Sequence, residues 1–187
     1  MTPTPLSIRE QLLALDEPCF EQPASDWAGD IALPGELERF YREVGPSDCT
    51  LDTAGNPFFI PALARLWQQQ AGYRWHGLTG ERLAGWSDDW IVVADQGADP
   101  FILECSSGRI LFDQHGGPWA PVPMFDDLWQ MSACLATFAR VWRGAGEDIF
   151  AEDYSVNPVY RRELVDQLAQ VLGDARRAEG LADEFGW

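Results

Sequence analysis

Trp86-Ser87-Asp88-Asp89-Trp90-Ile91-Val92-Val93-Ala94-Asp95-Gln96-Gly97-Ala98-Asp99-Pro100-Phe101-Ile102-Leu103 is the stretch on which the fold turns. Trp90 to Ala94 is a short, continuous, β-branched apolar run, the pattern of a strand buried on both faces. Gly97-Ala98-Asp99-Pro100 interrupts it as a turn, and Phe101-Ile102-Leu103 supplies a second strand. Ser106-Ser107-Gly108 is another turn, followed by a third strand, Arg109-Ile110-Leu111-Phe112. Turns this short join only antiparallel neighbours, because parallel strands need a long crossover. The centre of the chain, over 89–113, therefore reads as an antiparallel meander.

Helical patterns lie on both sides. Upstream, Ser7-Ile8-Arg9-Glu10 has the spacing of a capping box and sets a first helix beginning at Ser7, which Pro18 stops. Pro34 opens a second helix, with Leu37, Phe40, Tyr41 and Val44 at helical spacing and Gly45-Pro46 ending it. A third is expected after Pro61, through Leu63, Leu66 and Trp67 to about Gly72, and Tyr73-Arg74-Trp75 then reads as a short strand. Downstream, the polar loop Asp113 to Trp119 precedes a long helix from about Asp126 to Arg143. Its Leu128, Met131, Leu135, Phe138 and Trp142 form one apolar stripe, and Gly144-Ala145-Gly146 ends it. A last helical segment uses Leu164, Val165, Leu168, Val171 and Leu172, and a short acidic tail runs on to Trp187. Helices, antiparallel sheet, then helices make an α+β fold.

The 187 residues suit one domain, and 46% apolar residues with nine Trp and ten Phe can fill a sizeable core. Thirty acidic residues face 13 basic ones for a formal charge of −17, and every basic residue is Arg. Without lysine there is no lysine nucleophile, Schiff base or P-loop lysine. The charge argues against nucleic acid, whose affinity rests on cationic contacts to phosphate, and against an anionic membrane surface. It favours a basic protein partner, drawn in by the field at a salt-dependent rate. The acids are unevenly spread: residues 16–56 carry ten against two Arg (net −8) and residues 144–187 carry ten against four (net −6). Residues 57–143 carry nine against six, a net −3.

Cys19, Cys49, Cys105 and Cys134 are far apart, without CxxC or metal-ligand spacing, so neither a disulfide framework nor a metal site is expected. Met1-Thr2-Pro3-Thr4-Pro5 has neither a basic nor an apolar leader segment, and no apolar run is long enough to span a bilayer. A cytoplasmic protein with reduced thiols is the expectation. The inventory for catalysis is short. His115, in Asp113-Gln114-His115-Gly116-Gly117, is paired with no serine elbow and reads as a loop histidine held by its neighbours. Asp88, Asp89, Asp95 and Asp99 gather around one strand but lack the spacing of a calcium loop. No cofactor signature and no catalytic residue are assigned.

The quoted stretch, with Ser107-Gly108-Arg109-Ile110 and His115-Gly116-Gly117-Pro118-Trp119, resembles the SUKH superfamily of Smi/Knr-type cell-wall regulators and bacterial immunity proteins. Leu33-Pro34-Gly35-Glu36-Leu37-Glu38-Arg39-Phe40-Tyr41 is similar to its opening helix. The resemblance covers about 33–143 and departs from the family pattern at Gly45-Pro46-Ser47. It implies a SUKH-like domain over 1–143, an α+β fold with an antiparallel-rich mixed sheet and flanking helices, and no enzymatic activity. Residues 144–187 lie outside the resemblance and are expected to be a helical extension packed on the same domain.

Together these readings point to a non-enzymatic, immunity-type domain that docks onto a basic effector such as a toxin nuclease. The expected contact combines Asp88, Asp89 and Asp99 with Trp86, Trp90 and Trp119, which read either as aromatic anchors ringed by charge or as plain packing. Two other readings stay open: a scaffold in cell-wall or signalling control, and a hydrolase acting on carbohydrate through Asp and Trp residues.

Overall fold

In the computed structural model, which describes residues 3–187, six strands pair in chain order to form one sheet. Met1 and Thr2 of the expected leaderless start lie outside the described residues. The strands are β1 (Cys49–Leu51), β2 (Phe58–Ile60), β3 (Trp90–Gln96), β4 (Asp99–Glu104), β5 (Ile110–Phe112) and β6 (Val122–Phe125). The helices are α1 (Pro5–Ala14), α2 (Gly35–Glu43), α3 (Leu63–Leu66), α4 (Leu128–Ala145), α5 (Pro158–Leu172) and α6 (Ala175–Glu184). The α+β class and the central meander stand as expected. Every strand pairing within this sheet is antiparallel, so it is wholly antiparallel and not the mixed sheet expected.

Alternation along the strands sorts side chains between two different environments. Ile91, Val93, Phe101, Leu103, Ile110 and Phe112 face the helices and join the main core. Val92, Ile102 and Leu111 face the other way, into a smaller cluster. On the helical side, Leu128, Met131, Leu135 and Phe138 of α4 are fully buried, while Trp142, the last residue of the expected stripe, is only half-buried. Phe58, Phe138 and Phe185 meet with ring centroids 5.1–5.5 Å apart, so β2, α4 and the end of α6 close on one aromatic centre.

Several local expectations need correction. The first helix begins earlier: Thr4 is its N-cap, reciprocally bonded to Ser7, which is thus the third helical residue and not the cap. Tyr73-Arg74-Trp75 is no strand, and only Trp75 makes isolated bridges. Tyr73 and Arg74 are buried through their side chains instead. The third helix is a single turn followed by a 3-10 turn at Gln68–Gln70. The acidic tail is α6, and beyond it Trp187 is buried, donating its indole N–H to Thr53 Oγ1 at 2.7 Å. At Gly45 φ is +67° and a Cβ would fall 1.8 Å from the Phe20 carbonyl oxygen. Only glycine permits that approach.

Candidate functional site

The sheet face turned away from the helices is covered by the connection from β2 to β3, residues 61–89. Its tether is Gln70. The buried side-chain amide donates to the Val92 carbonyl at 2.9 Å and accepts from the Val92 N–H at 2.9 Å, as a neighbouring strand would. Strand β2 reaches β3 only at Asp95 and Gln96, so this substitution satisfies the unpaired edge. Arg74 extends it: its Nη1 donates to the carbonyls of Asp88 and Trp90, each at 3.2 Å, and its guanidinium lies 5.4 Å from the Trp67 ring centroid.

This strap brings the three expected tryptophans together. Trp86 lies 5.5 Å from Trp90 and 5.2 Å from Trp119, with Tyr73 5.7 Å from both Trp86 and Trp119. They do not share one environment. Trp86 is 5% exposed and packs on Val92, Ile102 and Leu111, whereas Trp90 and Trp119 are half-buried at the rim. Burial pushes the Tyr73 phenol well above its usual range, with the nearby Asp95 and Asp99 adding to the effect.

The three aspartates surround this cluster but each serves a separate internal contact. Asp88 bonds Arg82 at 2.5 Å and Arg74 at 3.2 Å. Asp89 accepts from the Ser106 N–H at 3.0 Å and its hydroxyl at 2.5 Å, closing the β4–β5 turn. Asp99 accepts from the His115 N–H at 2.8 Å and meets its Nδ1 at 2.6 Å, holding the loop that carries Trp119. Asp95 turns to Gln69 at 3.0 Å. The carboxylates thus orient the strap rather than converge on a common point. Among the described residues no group of three or more His, Cys, Asp or Glu is arranged to hold a metal ion.

A second feature escaped the sequence reading. The acid-rich segments near the two ends of the chain meet at a cleft of about 560 Å³ beside β1 and the end of α4. Leu15, Leu51, Ala139 and Trp142 give it an apolar floor, and Asp16, Glu17, Asp52 and Glu147 line its walls. Asp16 is paired with Arg143, and Glu17 accepts from the Thr50 N–H at 2.8 Å. Burial holds the Glu17 carboxyl above the usual carboxylate range, against the lowering effect of that N–H, and Asp52 pushes the same way as burial. Uneven charge along the chain was the only sequence signal of this convergence, since the four acids come from three separated segments.

No helix among the described residues is long and apolar enough to cross a membrane. Comparison with protein-family models, curated proteins and solved structures gives no match to the chain.

Proposed function

We propose that the chain is a non-enzymatic protein-binding domain of the SUKH type, an immunity-type protein that neutralises a basic toxin effector by docking in the cytoplasm. One observation carries this reading: Asp16, Glu17, Asp52 and Glu147, from three separated segments, meet around a cleft floored by Leu15, Leu51, Ala139 and Trp142. There Asp52 and Glu147 make no hydrogen bond or ion pair among the described residues. Unpaired carboxylates beside a half-buried tryptophan suit a partner that presents Arg and Lys. On the opposite face of the sheet, the half-buried Trp90 and Trp119, oriented by Asp99 and the Arg74-bound strap, offer aromatic anchors for protein contact. Asp88 and Asp89, being committed to Arg82 and Ser106, contribute by fixing the strap and steer a partner less than the rim does.

Capture of the tagged protein's partners from its own cells, with mass spectrometry at low and high salt, tests the proposal. A strongly basic protein retained at low salt and released by salt supports it. Retention of acidic partners alone, or turnover of a glycoside in a hydrolase screen, would count against it. A retained regulatory assembly without a toxin would favour the scaffold reading instead.

A further inference from the structure

Two of the four free thiols are neighbours in space although 30 residues apart in sequence. The segment carrying Cys19 runs antiparallel to the one leading into β1. Phe20 N–H donates to the Gly45 carbonyl at 2.9 Å, Ser47 N–H to the Pro18 carbonyl at 3.0 Å, and Cys19 bridges to Pro46. Cys49, at the start of β1, donates its thiol to the Pro18 carbonyl at 3.5 Å, which places it beside the neighbouring residue Cys19. Cys49 is fully buried, whereas Cys19 is half-buried between the exposed Pro18 and Phe20. Cys19 is therefore the more accessible of the two residues, and Cys49 stands behind it.

We propose that Cys19 and Cys49 are a reversible oxidation site, in which Cys19 attacks a peroxide and Cys49 closes the disulfide. The Cys19 thiolate attacks one peroxide oxygen. The O–O bond breaks, hydroxide leaves and takes up a proton as water, and Cys19 is left as a sulfenic acid. The Cys49 sulfur then attacks the Cys19 sulfur, the S–O bond breaks, and the proton from Cys49 leaves with the hydroxyl as a second water. Two thiols lose two electrons and one hydrogen peroxide gains them.

The order of attack follows from the surroundings. The neighbouring Cys49 thiol lowers the Cys19 thiol below its usual range, burial acts against it, and the Arg9 charge assists. Arg9 is fixed nearby, its Nη2 donating to the Cys19 carbonyl at 3.2 Å. The neighbouring Cys19 and burial push the Cys49 thiol well above its usual range, so it retains its proton while Cys19 reacts. Cys105 is an internal control, half-buried like Cys19 but with burial pushing its thiol up to about 11.

Treatment of the folded, full-length protein with hydrogen peroxide, followed by non-reducing peptide mapping, tests the site. Trypsin cuts only at Arg here, so Cys19 falls in peptide 10–39 and Cys49 in 43–65. The expected product is one cross-linked species of these two peptides, reversed by dithiothreitol, with Cys105 and Cys134 still free. In Cys49→Ser, dimedone should trap a sulfenic acid on Cys19. Should that variant fail to fold, alkylation of the native protein by iodoacetamide near neutral pH decides. Cys19 should react at least about tenfold faster than Cys105, allowing for the lower nucleophilicity of a lower-pKa thiolate. Oxidation or alkylation at Cys105 as fast as at Cys19, or a cross-link that forms only after denaturation, would overturn the assignment.

Discussion

Gln70 and Arg74 do with side chains what a seventh strand would do with its backbone. Removing the amide leaves both the N–H and the C=O of Val92 buried without partners. Each such loss costs roughly 1–3 kcal/mol. Gln70→Ala should therefore lower stability by about 2–6 kcal/mol in urea titration and release the Trp86 cluster, seen as a red shift in tryptophan emission. A loss within about 0.5 kcal/mol would mean the strap is held some other way. Glu17 gives a pH test. Its carboxyl sits above the ordinary range because it is buried, so the folded state holds that proton more tightly than the unfolded chain does. This group's contribution therefore becomes unfavourable as pH rises from the ordinary carboxylate value through the raised one, and is constant outside that window. Glu17→Gln keeps an oxygen for the Thr50 N–H and removes the titration. The stability of wild type relative to the variant should fall as pH rises from the ordinary carboxylate value through the raised one. A rise over that interval would contradict the assignment.

At the scale of elements, α4 and α6 clamp the helical face of the sheet. Phe138 is fully buried and Phe185 is 3% exposed, and each lies within 5.8 Å of two or more other aromatic rings. Phe138→Ala and Phe185→Ala should each cost about 3–5 kcal/mol by denaturant titration. Loss below about 1 kcal/mol for Phe185 would mean that α6 is a dispensable appendage. Strands β3 to β5 and the stripe on α4 were legible because their apolar periods are unbroken. Helix α6 was not, because Ala178, Leu181 and Ala182 are its only buried residues and its large contacts, Phe185 and Trp187, lie beyond its last turn. Strands β1 and β2 are three residues each, too short to show a period, and β6 contains Pro123, tolerated because the strand lies at the sheet edge. The tryptophan cluster was visible as composition. The clamps that hold it were not, since Asp89 and Ser106, or Asp99 and His115, become neighbours only once the hairpins close. His115→Ala should accordingly loosen the Trp119 loop by about 1 kcal/mol while leaving partner binding within about twofold.

Taken as a whole molecule, the fold divides its labour between two faces of one sheet. The helical face supplies stability, and the strap on the other face presents aromatic side chains. Of the 30 acids, folding brings Asp16, Glu17, Asp52 and Glu147 together around one cleft. Such a rim acts at long range on approach more than on the lifetime of the complex. The most direct measurement is surface plasmon resonance with the captured basic partner, comparing wild type with the double variant Asp52→Asn, Glu147→Gln at low and high salt. The account predicts an association rate that falls steeply with salt and is slower in the variant at low salt, with dissociation changed by less than about twofold. An association rate indifferent to both salt and the double substitution would contradict electrostatic docking at the rim.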